Sequence, residues 1–168
     1  MTDCVADKLA IYDLVFKYCR AVDRRDFASL AKLYHADSID DHGGMFKGSG
    51  KDYVAWLPTV LVGMKVTSHA VSNHLVSVEG DKAEGEVYCT AYHLTADNTE
   101  IIIGGRYLDK YIKEDGVWYF KHRKIVMDWN QIKASDCDMD SPVVAGTDVG
   151  CAFDQDPSSA FFDFLKTS

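Results

Sequence analysis

Asp23 and His69 are a carboxylate and an imidazole of the kinds that remove protons from carbon. A carboxylate beside a neutral imidazole fixes which ring nitrogen holds the proton and leaves the other free to act as a general base. Nothing in the spacing alone joins the two, so the elements that carry them decide the matter. In an extended run the side chains alternate, so Ala83, Gly85, Val87, Cys89, Ala91 and His93 share one face. Small residues there leave room for a cavity, and His93 projects toward it. Likewise His69, Val71, Asn73 and Leu75 lie together, and Arg123 shares a face with Tyr119, Ile125, Met127 and Trp129. A guanidinium among apolar neighbours has a high desolvation cost unless it meets an anion, which is either a ligand or an acid at the sheet edge. Tyr18 falls on the apolar stripe of the opening helix, where it packs in the core or offers a hydroxyl. The plainer reading of either histidine is a satisfied structural residue.

Other chemistries find less support. His35, Asp37, Asp40, Asp41 and His42 crowd one acidic stretch, but their spacing matches no familiar ligand pattern, so no metal is expected. Gly48-Ser49-Gly50-Lys51 lacks the phosphate-loop and dinucleotide spacings. No Gly-x-Ser-x-Gly elbow is present. No cofactor is expected.

The elements that must position these residues change type midway. Residues 4 to 22 read as a helix, with Ile11, Leu14, Val15, Tyr18 and Val22 on one face and Thr2 or Asp3 as its cap. Asp23 closes that stripe. Asp26 opens a short second helix carrying Phe27, Leu30, Ala31 and Tyr34, and residues 37 to 48 hold a short strand with its turns. Ser49 caps a third helix that runs to about Leu57, where Pro58 disturbs the pattern. From Lys65 the period becomes two. Strands are expected near 66–79, 82–96, 100–113 and 117–131, joined by Glu79-Gly80-Asp81, Ala96-Asp97-Asn98 and Glu114-Asp115-Gly116. Such short turns impose an antiparallel meander. Helices first and long strands afterwards give an α+β domain over residues 1–134. The remaining residues, 135–168, form an acidic tail with a last short helix after Pro157 and an apolar end at Phe161, Phe162, Phe164 and Leu165. The tail packs on the domain or on another subunit.

Bulk composition bounds the partners. The chain has 168 residues, 47% apolar and 26% charged, enough for one globular domain. A formal charge of −8 excludes the basic face that a general nucleic-acid binder needs. No apolar run approaches the roughly 20 residues that span a bilayer. The first residues have neither a basic leader nor an apolar core, and the five cysteines form no C-x-x-C pair, so a cytoplasmic protein with reduced thiols is expected.

Three segments carry a family likeness. They are Ile11-Tyr12-Asp13-Leu14 with Tyr18-x4-Asp23-Arg24-Arg25, then His69-x3-Asn73, then Gly105-x-Tyr107-x3-Tyr111 followed by Glu114-Asp115-Gly116-Val117-Trp118 and Phe120-x2-Arg123. In this order they resemble the SnoaL-like branch of the nuclear transport factor 2-like superfamily, over about residues 8 to 131. Within it the likeness is to hexachlorocyclohexane dehydrochlorinase, scytalone dehydratase and bacterial bile acid 7α-dehydratase.

The resemblance implies a cone-shaped α+β barrel: helices packed on a curved antiparallel sheet that encloses a pocket. It implies Asp23 and His69 as a catalytic dyad, Arg123 stabilising a leaving group or developing anion, and Tyr18 and His93 as further catalytic groups. Val71, Cys89, Ala91, Tyr107, Met127 and Trp129 are the expected substrate-binding residues. The expected activity is a lyase, a dehydratase or dehydrohalogenase acting on a small, mainly apolar cyclic molecule. An isomerase or cyclase using the same base, or a non-catalytic binding protein, are the alternatives. Self-association as a homodimer or homotrimer is implied on the same grounds.

Overall fold

A computed structural model of the protein describes residues 4–151, 155–163 and 165. The chain opens with α1 (Val5–Asp23), whose buried face is Ile11, Leu14, Val15, Tyr18, Cys19, Ala21 and Val22. The cap expected at Thr2 or Asp3 lies outside the described residues, apart from which Cys4 occupies the cap position without a side-chain hydrogen bond. At its far end α1 stops sharply. The Asp26 N–H donates to Ala21 O at 2.9 Å and the Arg25 N–H to Val22 O at 3.2 Å, the Schellman pattern, with Arg25 in the left-handed region (φ 60°). The Arg25 guanidinium then donates to Val22 O, to Asp23 O and, at 2.7 Å, to Thr67 Oγ1, which holds this unusual backbone in place. The stop leaves Asp23 on the last turn, aimed at the sheet.

Next come α2 (Phe27–Ala31), β1 (Tyr34–Asp41), β2 (Lys47–Ser49) and α3 (Gly50–Leu61). Asp26 caps α2 by accepting from the Ser29 N–H at 3.0 Å, and Ser49 caps α3 by accepting from the Asp52 N–H at 3.1 Å. Contrary to the expected stop near Leu57, α3 runs through Pro58 to Leu61. Proline forfeits one backbone bond, but Tyr53, Val54, Leu57 and Leu61 recur at helical spacing and are all buried, so packing outweighs the loss.

Four long strands follow: β3 (Met64–Glu79), β4 (Lys82–Thr95), β5 (Thr99–Glu114) and β6 (Val117–Ala134), within a few residues of their expected limits. Left-handed backbone at Gly80, Asn98, Asp115 and Gly116 makes the turns between them. The sheet is mixed rather than wholly antiparallel. Its order is β2-β1-β6-β5-β4-β3, and β1 lies parallel to β6 while every other neighbour pair is antiparallel. The sheet curves without closing, so β2 and β3 are free edges and the cone remains open. The core lies between its inner face and α1 and α3. In the tail, α4 (Pro157–Phe161) is capped by Asp156, whose carboxylate pairs with Arg24 at 3.1 Å, while Arg20 donates to Ser158. The expected apolar end falls partly outside the described residues at Phe164; Phe161 is exposed.

Four one-residue bulges reset the alternation of the long strands. One extra residue of β3 is Lys65 and another lies between Val71 and His74, and β6 carries Lys121 and Asp128 as extras opposite β5. A bulge flips the side chains beyond it to the other face. Accordingly Trp118 and Phe120 point inward with Arg123 and Ile125, whereas Tyr119 points away; Asn73 and Leu75 likewise leave the face of His69.

Candidate active site

The inner face of the sheet and the helices leave a cavity of about 280 Å³. Its walls are largely apolar, among them Val22, Leu57, Leu61, Met64, Ile103 and Ile125. Polar side chains interrupt them, among them Tyr18, His42, Tyr53, His69, His93, Arg106 and Tyr107.

His69 stands on β3 directly across from Ala91. Asp23 grips it twice. Asp23 Oδ1 lies 2.7 Å from His69 Nδ1, and Asp23 Oδ2 accepts the His69 backbone N–H at 2.8 Å. Because Oδ1 can only accept, Nδ1 carries the proton and Nε2 presents its lone pair. The backbone bond fixes the carboxylate against the strand, so the pair is built into the junction of α1 with β3. Both side chains are largely buried, at 9% and 13% exposure.

His93 comes from β4, with its ring edge-on to that of His69 and centroids 5.6 Å apart. Burial, aided by the neighbouring His69, pushes its pKa from 6.5 down to about 4. Its ring is therefore uncharged at neutral pH, and its Nδ1 has no hydrogen-bond partner among the described residues.

Arg123 does not border the cavity, which corrects the role expected for it. Its Nε and Nη2 donate to the two Asp109 oxygens at 2.8 and 2.7 Å, and both side chains are fully buried. The guanidinium carbon sits 4.1 Å from the ring centres of Tyr18, Tyr107 and Phe120. Asp109 is its cross-strand partner, so the charge is paired beneath the cavity floor, while Nη1 is buried without a hydrogen-bond partner among the described residues. Tyr111 extends this interior network, donating to Asp109 at 2.8 Å and lying 3.3 Å from His74 Nε2.

Among the expected binding residues Cys89, Ala91, Tyr107 and Met127 line the cavity, and Tyr18 does so as well. Val71 and Trp129 do not. Val71 packs against the core beneath the helices. Trp129 lies past the Asp128 bulge, so it has flipped to the outer face, where it covers Gly104 so closely that a Cβ there would meet its indole at 2.0 Å. Asp128 is held in its bulge by a two-pronged bond from Arg106, at 2.9 Å on each prong.

Two polar residues of the wall were not assigned to the pocket by the sequence reading, which weighed His42 only as a metal ligand and Tyr53 not at all. His42 follows β1 and Tyr53 belongs to α3. Their hydroxyl and imidazole are 3.2 Å apart, and the Tyr53 hydroxyl lies 2.7 Å from that of Tyr18. His42 Nδ1 is hydrogen-bonded to Oδ1 of Asp40, which is fully buried and whose Oδ2 accepts from Tyr34 at 2.6 Å. The available signal was the Asp40-x-His42 spacing, which puts both side chains on one side of a strand. Burial raises the Tyr18 and Tyr53 pKa values, so both phenols stay protonated, while the cation of Arg123 opposes that shift.

The described residues include no group of His, Cys, Asp or Glu arranged to hold a metal ion. No helix among them is long and apolar enough to cross a membrane.

An uncharacterised protein of Mycobacterium tuberculosis is 28% identical over 118 residues, 68% of this chain and 80% of that protein. A candidate scytalone dehydratase from Novosphingobium aromaticivorans superposes with a TM-score of 0.73 at 26% identity, covering 82% of this chain and 94% of its own. A type 2 hexachlorocyclohexane dehydrochlorinase superposes with a TM-score of 0.75 at 24% identity, covering 83% and 97% of the two chains, a likeness of fold. The SnoaL-like domain profile matches residues 3–124, most of the helical layer and the sheet that build this cavity. The chain belongs to the SnoaL-like domain family, within the nuclear transport factor 2-like fold.

Proposed function

We propose that the protein is a cofactor-independent lyase that eliminates water or hydrogen halide from a small, mainly apolar cyclic substrate. The observation that carries this reading is the Asp23–His69 pair at the wall of an apolar cavity. His69 Nε2 takes a proton from an acidic carbon, and the Asp23 carboxylate stabilises the imidazolium that forms. General-base help of this kind supplies about 10²- to 10⁴-fold in rate. The largely apolar walls strengthen charge interactions inside. The neutral His93 ring is a hydrogen-bond partner for substrate rather than a store of protons.

The test is incubation of the purified protein with cyclic β-hydroxy ketones and with polychlorinated cyclohexanes, followed by mass spectrometry. A lyase product is lighter by water or hydrogen halide, an isomerase product has unchanged mass, and a binding protein yields neither. His69→Ala is expected to abolish turnover while leaving the fold intact. Full turnover in that variant would exclude the mechanism.

Self-association as a homodimer or homotrimer belongs to the same proposal. Leu75, Tyr88 and Trp129 stand exposed on the outer sheet face and are the natural contact surface. Sedimentation velocity of Trp129→Asp should then show a smaller species than the parent. So does a cytoplasmic setting, in keeping with five cysteines that are all free thiols.

A further inference from the structure

The cavity has two acid–base arms, and the reading above uses only one. The second runs Asp40–His42–Tyr53–Tyr18, each member within hydrogen-bond distance of the next. It is assembled from three elements remote in sequence: the end of β1, α3 and α1. Its ends differ in kind. Asp40 is fully buried and tied also to Tyr34, whereas Tyr18, Tyr53 and His42 all border the cavity. A buried carboxylate that holds an imidazole, which in turn touches a pair of phenols, is more than packing requires. Phenylalanine would fill the same space without two buried hydroxyls to satisfy.

The arm meets a need that His69 leaves open. A halide departs as a stable anion and needs no proton, but a hydroxyl must leave as water. Hydroxide in a water-poor cavity is a costly leaving group unless it is protonated as the bond breaks. His93 is uncharged, so it has no imidazolium proton to give, and its Nδ1 has no hydrogen-bond partner among the described residues. Tyr18 holds one, and Arg123, 4.1 Å from its ring centre, stabilises the phenolate that forms when the proton goes.

Resting on the lyase reading, we infer that Asp40–His42–Tyr53–Tyr18 is the proton-supplying arm of the site, which makes the substrate an alcohol and the reaction a dehydration. His69 Nε2 takes the C–H proton, and that electron pair becomes the new C=C bond. The C–O bond breaks, its electrons go to oxygen, and the oxygen takes the Tyr18 hydroxyl proton and leaves as water. Tyr53 reprotonates Tyr18, and a proton taken up at His42 Nε2 reprotonates Tyr53. Return of the His69 proton to solvent and of one proton to His42 closes the cycle, so substrate gives alkene and water with nothing else consumed. Tyr18 and His69 both border the one cavity, so the two arms face the same bound molecule.

The experiment pairs two probes on the same ring: a cyclic β-hydroxy ketone and its β-chloro counterpart, with the uncatalysed background subtracted. Tyr18→Phe and Tyr53→Phe each remove one hydroxyl and keep the shape, and His42→Gln removes the reservoir. For the alcohol probe each is expected to slow water loss at least 100-fold. Exchange of the acidic hydrogen with D₂O should continue, because His69 is intact. Chloride loss should fall at least tenfold less than water loss does. Equal losses on both probes would make the arm a structural or substrate-positioning feature. Unchanged water loss in both phenylalanine variants, or no water loss from the alcohol by a parent protein that does release chloride, would overturn the inference. Failure of the lyase reading itself looks different: the parent protein would then release neither water nor chloride.

Discussion

Arg123 and Asp109 face each other across neighbouring strands as a two-pronged ion pair, 2.8 and 2.7 Å, with neither side chain reaching solvent. Three aromatic rings enclose the cation. Taking away one partner strands a buried charge, which costs about 3–5 kcal/mol. Arg123→Ala or Asp109→Ala should therefore lower the urea midpoint sharply. Replacing both, as Arg123→Met with Asp109→Leu, should recover most of the loss, because no charge is then left unpaired. If the single variants melt like the parent, the pair does not hold the core together.

Asp23→Asn keeps the size of the side chain but puts an amide where the ring and backbone N–H groups need an acceptor. Each carboxylate oxygen accepts one of those bonds, so the amide NH₂ must set a donor against one of the two donors. Turnover of the alcohol probe should fall about 10²- to 10⁴-fold, and the ¹⁵N resonances of the His69 ring should show the tautomer change. A variant with parental turnover would remove Asp23 from the mechanism.

Acid should weaken the fold through two histidines that burial keeps neutral. The pKa of His93 and that of His74, each 6.5 for a free imidazole, are both lowered to about 4, chiefly by desolvation. Between those limits the unfolded chain binds more protons than the folded one, so the stability tied to the neutral rings is complete above pH 6.5 and drains away as pH falls toward 4. Urea midpoints at pH 7.5 and pH 5 should show this decline. In His74→Phe the decline should be shallower; an unaltered slope would mean that His74 is not a source of it.

Gly105→Ala should destabilise by about 1–3 kcal/mol. A Cβ at this position would meet the Val126 carbonyl oxygen at 2.4 Å, just where Asp128 bulges out of β6, and backbone cannot step aside. By contrast Gly116→Asn, in open space at a turn with φ +81°, should cost little, since asparagine tolerates that region. Thermal melts of the two variants side by side check the contrast.

The order of helices and long strands was written in the sequence, because each signal is local. The period of α1, the Asp26 and Ser49 caps and the Gly and Asp turns act within a few residues of themselves. The Asp23–His69 pairing was readable from the family likeness, and the neutral cavity face of β4 from its small residues. What the tertiary structure alone decided is register. A single extra residue at Lys121 or Asp128 leaves the local pattern looking like a strand, yet it sends Tyr119 and Trp129 to the far side. Arg123 is paired with Asp109 only because β5 and β6 align those two positions. Likewise β1 reaches the site only by running parallel to β6, a long-range choice that carries Asp40 into the interior and His42 to the cavity wall. Local chemistry names the elements; burial of one continuous apolar face selects which of their residues meet.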